Sequence, residues 1–225
     1  MTIFSSAQPS HPDYQSSTPL REMSHPPNIY IVGAQCTGKT TLVNNLRQHF
    51  ESNPTDQYRP PIFITEVARS VLKTNSFTAL DVVTPSRSLE LQQLILDAQT
   101  AAERDAFDQW FISDRSGADP ITYALRYVGD EATDKLVKSK EWQEVRERMK
   151  NGVVVVCEAN KDAASWLHDD GVRLMPKDIL DWMGFHRLFC WFLDSQGIEY
   201  VVLPPSIGDH KDRVGYVLEC WMSKF

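Results

Sequence analysis

The stretch Gly33-Ala34-Gln35-Cys36-Thr37-Gly38-Lys39-Thr40 constrains this chain more than any other part of it. It fits the pattern G-x-x-x-x-G-K-[ST], and it follows a short apolar run, residues 29–32, that reads as a buried strand. Directly behind it, Leu42, Val43, Leu46 and Phe50 fall on one helical face of residues 39–50. A loop between strand and helix with these glycines lets backbone N–H groups curl around phosphate oxygens. The helix N-terminus adds positive potential. Lys39 is expected to reach the β- and γ-phosphates of a nucleoside triphosphate, and the Thr40 hydroxyl to ligate Mg2+. The expected nucleotide-binding residues are therefore Gly33, Ala34, Gln35, Cys36, Thr37, Gly38, Lys39, Thr40 and Thr41. Cys36 reads as a small residue facing the core rather than as an activated thiol.

Beyond this loop, apolar runs alternate with helical patterns. Strands are expected at 29–32, 62–65, 110–113, 153–157 and 198–203. Helices are expected at 39–50, 66–73, from Pro85 onward, 119–128, 132–149, 176–196 and 209–224. Such alternation means an α/β fold, a parallel sheet of about five strands with helices on both faces. Ligands of such sheets bind beyond the carboxyl ends of the strands. Gly33, Glu66, Asp114 and Glu158 each fall just after an expected strand, which groups them into one candidate site. Residues 1–27 are rich in Ser, Pro, His and Gln and read as a disordered tail ahead of a single domain, 28–225.

Composition narrows the partners. Lys and Arg number 23 against 30 Asp and Glu, a net charge of −7, which disfavours sequence-independent binding to nucleic acid and favours small ligands. The longest apolar run, 153–157, is far too short for a membrane span. The four cysteines, Cys36, Cys157, Cys190 and Cys220, show no metal-ligand spacing and read as reduced. With no secretory signal pattern at the N-terminus, a cytoplasmic setting is expected.

The acidic residues at the strand ends carry the chemistry. Asp114 can hold Mg2+ or its water beside the phosphate loop; the alternative is a helix-capping aspartate. Glu66 can orient an acceptor hydroxyl or take its proton; the alternative is a carboxylate in a first helical turn. Arg115 is expected to face the acceptor, or else to make a surface ion pair. Arg69, three residues after Glu66, binds an acceptor phosphate or pairs with Glu66. Arg173, between the fourth strand and the next long helix, is placed to stabilise charge on a moving phosphoryl group.

With these residues in place, the chain resembles a small AAA-labelled P-loop NTPase family that includes NadR-like ribosylnicotinamide kinases. The resemblance rests on residues 33–41, on Thr-Glu-Val-Ala-Arg at 65–69, on Ser-Asp-Arg-Ser at 113–116 and on Asp-Asp-Gly-Val-Arg at 169–173. The second and third segments also resemble deoxynucleoside and thymidylate kinases. The resemblance implies a kinase-like P-loop sheet, ATP as donor, Mg2+, and a nucleoside or nucleotide-like acceptor. Two other readings stand beside a kinase: a GTP- or ATP-binding switch, and a nucleotide-binding module without phosphotransfer. Asp114-Arg115-Ser116-Gly117 fits D-x-x-G, and Asn160-Lys161-Asp162-Ala163 misses the guanine-reading N-K-x-D by one position. That displacement favours adenine over guanine.

Overall fold

The computed structural model describes residues 26–168 and 174–225. Five strands, β1 (Ile29–Val32), β2 (Ile62–Ile64), β3 (Phe111–Asp114), β4 (Val153–Cys157) and β5 (Val201–Leu203), form one sheet of order β2-β3-β1-β4-β5, every pairing parallel. Among the described residues eight α-helices connect and cover them: α1 (Lys39–Ser52), α2 (Val67–Thr74), α3 (Pro85–Asp105), α4 (Ala118–Tyr127), α5 (Asp130–Val137), α6 (Lys140–Asn151), α7 (Ile179–Ser195) and α8 (His210–Lys224). The expected α/β architecture, strand number and helix coverage are all present.

Strand β1 is central and buried along its whole length. Its alternation sorts the two faces. Ile29 and Ile31 pack with Leu42, Leu46, Val217 and Trp221 of α1 and α8. Tyr30 and Val32 pack with Leu96, Ile121, Val145 and Phe189 of α3, α4, α6 and α7. Both faces being covered explains why β1 and β4 read as continuous apolar runs rather than alternating ones.

Several boundaries differ from the sequence expectation for local reasons. The single helix expected at 132–149 is two: α5 ends at Val137, and Ser139 caps the start of α6 by accepting from the Trp142 N–H at 3.1 Å. Helix α7 starts at Ile179, after Asp178 caps the Asp181 N–H. Strand β5 covers only Val201–Leu203 of the expected 198–203. Helical periodicity cannot see the short 3-10 helices Ala79–Val83 and Lys161–Trp166. Of the expected tail, residues 1–25 lie outside the described residues. Pro26 is buried and the Pro27 carbonyl accepts from Trp221 Nε1 at 2.9 Å, so ordered chain reaches back past Asn28.

One charged network crosses the core. Glu103 of α3 is 1% exposed. It accepts from Gln99 Nε2 at 2.9 Å, Arg148 Nη1 at 3.0 Å and the Tyr30 hydroxyl at 3.2 Å. Burial pushes the Glu103 carboxyl up to about 7, against the opposing pull of Gln99 and Arg148. Between the ordinary value of 4.5 and about 7, the folded protein holds a proton that the unfolded chain has lost. Stability is therefore lost as pH rises through that window, by roughly 3 kcal/mol for a group shifted this far. Glu103→Gln should flatten this slope, so that wild type minus variant stability, from urea titrations at pH 4.5 to 8, falls with rising pH. A difference that does not change with pH would show that Glu103 is ionised in the fold throughout.

Candidate functional site

The carboxyl ends of β1, β2 and β3 bring the expected residues together. Parallel register sets Ile31 opposite Asp114, so the end of β3 lies one step from the phosphate loop. Gly33 has φ +122, and a Cβ there would stand 2.8 Å from the Cys157 carbonyl oxygen. Only glycine fits this turn against β4. Gly38 (φ +79) and Cys36 (φ +58) complete the curl of the loop.

Lys39, only 4% exposed, folds back over the loop and donates to the Ala34 carbonyl and, at 3.4 Å, to Thr37 Oγ1. Thr37 Oγ1 itself donates to the Ala34 carbonyl at 2.9 Å. Burial, and then the neighbouring Arg115 charge, bring the Lys39 ammonium down to about 8. Cys36 lines the phosphate cleft instead of facing only the core, and its thiol donates to the His168 carbonyl at 3.5 Å. Thr41 is exposed at the cleft rim.

The Thr40 hydroxyl donates to Asp114 Oδ2 at 2.6 Å, while Asp114 Oδ1 is buried with no hydrogen-bond partner among the described residues. A hydroxyl beside a carboxylate with an unsatisfied oxygen is a hard-oxygen donor set, and it fits Mg2+. Among the described residues no group of three or more His, Cys, Asp and Glu could hold a metal.

Glu66, Arg69 and Arg115 also meet, as a network. Glu66 stands just before α2 and accepts from Arg69 Nε at 2.9 Å and from Arg115 Nε at 2.7 Å. Arg115 Nη1 donates to Asp119 Oδ1 at 3.1 Å. Burial opposes the Arg115 charge, but the Glu66 and Asp119 carboxylates outweigh it and hold the guanidinium protonated. These four side chains line a cavity together with the apolar Leu72, Val82, Leu91 and Ile95. Arg115 lines both this cavity and the phosphate cleft, so the two adjoin there. Arg173 lies outside the described residues. Glu158, grouped with the site by sequence, lines neither space.

The structure adds residues that the sequence did not single out. Asp119 is 3% exposed and also accepts from the Ser116 N–H at 2.8 Å. Gln92 is 2% exposed, lines the second cavity, and its side chain makes no hydrogen bond among the described residues. Its signal was a carboxamide on the apolar face of α3, beside Leu91 and Ile95. Trp166, His210 and Arg213 flank the phosphate cleft, which measures about 410 Å3. Arg213 donates to the carbonyls of Thr37 and Ile207, both at 3.3 Å, and to Cys157 Sγ, and lies 5.3 Å from the centre of the Trp166 ring.

The switch-like segments have local roles. Asn160 accepts from the Asp162 N–H at 2.9 Å and caps the 3-10 helix, while Lys161 and Asp162 are exposed, and none of the three lines the cleft. Gly117 is tightly packed, since a Cβ there would press on the side chains of Leu96 and Val145 at 3.0 Å.

Comparison with solved structures places the same architecture in known kinases. The deoxyadenosine kinase from M. mycoides with bound dATP superposes with a TM-score of 0.57 at 15% identity, covering 85% of this chain and 97% of that one. The same enzyme with products dCMP and dCDP gives 0.58 at 15% identity, over 87% and 99% of the two chains. Shikimate kinase from Acinetobacter baumannii in complex with shikimate gives 0.56 at 15% identity, over 89% and 95%. At this identity the likeness establishes a P-loop kinase-like fold. No curated protein matches the sequence. The profile of the AAA domain family matches residues 28–213, nearly the whole described chain, and the protein belongs to that family.

Proposed function

We propose that this protein is a Mg2+-dependent phosphotransferase that moves the γ-phosphoryl group of ATP to a hydroxyl of an uncharged, nucleoside-like acceptor. The observation that carries this reading is the adjoining of two unlike spaces at Arg115. The phosphate cleft holds Lys39 and Arg213, whose hydrogen bonds run to carbonyl, hydroxyl and sulfur acceptors with no carboxylate among them. Those cations are available to phosphate. In the neighbouring cavity Arg69 and Arg115 are paired with Glu66 and Asp119. A carboxylate or phosphate entering beside Arg115, whose side chain is 10% exposed, would have to displace one of its pairs, which is costly for buried charges, whereas Arg69 is half-exposed. A neutral ligand displaces none, and Gln92 offers it one donor and one acceptor group.

In this reading Lys39 and the loop N–H groups hold the triphosphate, and Thr40 and Asp114 hold Mg2+, which neutralises phosphate charge. Glu66, at the junction, orients the acceptor hydroxyl and takes its proton. Arg115 fixes Glu66 and faces the transferred group, Arg69 braces Glu66 from the solvent side, and Arg173 neutralises charge in the transition state. Trp166 and His210 give the base of the nucleotide a flat, mixed surface. The capping role of Asn160 supports a kinase over a guanine-reading switch.

Three outcomes test this. With Mg2+ and ATP, neutral nucleosides should support phosphoryl transfer, and nucleoside monophosphates and shikimate should not. If none of the three classes raises ATP consumption, the protein binds nucleotide without transferring phosphate. Glu66→Gln should lower turnover about 10²–10⁴-fold with ATP affinity nearly unchanged, whereas Asp119→Ala should act on the fold and cost about 3 kcal/mol in urea unfolding by stripping Arg115 of a buried partner.

Protonated Lys39 attracts phosphate and neutral Lys39 does not. Because its pKa lies at about 8, ATP affinity should be level below that pH and weaken as pH rises beyond it. The slope should approach about tenfold per pH unit. Lys39→Ala should weaken binding and remove the break at pH 8; a break that survives the substitution assigns it to another group.

A further inference from the structure

Gln35 belongs to the phosphate loop, yet its polar atoms turn towards the second cavity. The residue is 3% exposed. Its Nε2 donates to the Leu174 carbonyl at 3.2 Å, its Oε1 accepts from the Tyr123 hydroxyl at 3.4 Å, and its backbone carbonyl accepts from Trp182 Nε1 at 2.7 Å. Tyr123 and Leu174 line the second cavity, while Gln35 itself lines neither space. The carboxamide has one orientation that satisfies both side-chain partners. The Leu174 carbonyl can only accept, so the nitrogen must face it and the oxygen must face Tyr123. Burial holds the Tyr123 phenol near 12, so it keeps the proton it donates.

The next peptide group along is the one that Lys39 engages. Lys39 and Thr37 both donate to the Ala34 carbonyl, which shares its peptide plane with the Gln35 nitrogen. A triphosphate that draws Lys39 to its oxygens removes the ammonium from that carbonyl. The Ala34 carbonyl then keeps only Thr37 of its two donors, and Gln35 is bonded to α4, α7 and the segment leading into α7.

We propose that Gln35 is a positioning residue that links the filling of the phosphate loop to the wall of the acceptor cavity, through Tyr123 and Leu174. The inference rests on the phosphate-loop reading above and adds to it a route between the two halves of the site. Arg115 is the competing route, because it lines both spaces directly.

The test is amide hydrogen exchange with and without Mg2+ and the non-hydrolysable ATP analogue adenylyl imidodiphosphate. It needs no acceptor. In the wild type the analogue should slow exchange in residues 33–46 and also in residues 118–127. The effect at 118–127 should be about fivefold or more, the low end of ordinary coupling between sites. Gln35→Met keeps the volume and Tyr123→Phe removes only the hydroxyl. Both variants should lose the protection at 118–127, and Tyr123→Phe, which leaves the phosphate loop untouched, should keep it at 33–46, which shows that it folds and binds. The double variant should lose no more than either single one. If both variants keep the wild-type response at 118–127, the link runs through Arg115 and the proposal is wrong. If the wild type shows protection at 33–46 alone, the two halves are not linked and the proposal is equally wrong. Absence of protection at 33–46 in the wild type would instead overturn the nucleotide reading itself.

Discussion

A guanidinium cannot shed its proton, so burying Arg115 obliges the fold to surround it with negative charge. Glu66 comes from the end of β2 and Asp119 from the first turn of α4, and both reach it within about hydrogen-bond distance. The Arg115 backbone accommodates this with φ at +87, an uncommon conformation for a side chain of this size, while its N–H is held by the Ile31 carbonyl at 2.9 Å. Three strand ends and one helix are thereby locked around a single cation. The same lock creates the boundary between the phosphate cleft and the second cavity. Local strain tied to buried ion pairs is common at functional sites, where neighbouring structure overdetermines it.

Everything upstream of that lock serves to bring the strand ends level. A parallel sheet with β1 at its centre sends the chain to β3 and β2 on one side and to β4 and β5 on the other. The crevice beyond the central strands is where such a sheet accepts ligands. Gly33 turns against the Cys157 carbonyl at the end of β4, and Thr40 reaches Asp114 at the end of β3. The phosphate loop is thus pinned by both neighbours of its own strand, which keeps its N–H groups preorganised without any ligand.

Much of this was legible in the sequence, for identifiable reasons. The strands are buried on both faces and so appear as plain apolar runs, and the loop has a spacing that few other structures require. Gly33, Glu66, Asp114 and Glu158 could be grouped because strand ends converge in any parallel sheet, although Glu158 lines neither space. The pairing of Glu66 with Arg69 was one of the two readings their spacing allowed, but that of Glu66 with Arg115 could not be read, because the two are far apart in the chain and either could have faced solvent. Asp119 was invisible for a similar reason: an acidic residue in a first helical turn satisfies the helix alone. Gln92 looked like an ordinary polar interruption of an apolar stripe, and only the cavity beside it gives it meaning. The split between α5 and α6 depends on one serine cap within a pattern that otherwise continues in phase.

The electrostatic contrast between the two spaces carries the argument about chemistry furthest. On the phosphate side, Lys39 and Arg213 are nearly buried and bonded to neutral atoms, so their charge is left for an anion to neutralise. On the side of the second cavity, two arginines and two carboxylates balance one another. A site that bound two anions face to face would need uncompensated cations in both halves, since like charges repel strongly where water is excluded. This one concentrates them in one half. In the proposed transfer, phosphate leaving the donor would move towards Arg115, which is tied to Glu66 and Asp119. A proton passed from the acceptor hydroxyl to Glu66 would remove that carboxylate's charge and weaken its hold on the guanidinium. Arg115 would keep Asp119 as a partner and could turn the edge that faces Glu66 to the incoming phosphoryl oxygens, so a pairing that looks structural at rest would supply positive charge when the reaction needs it.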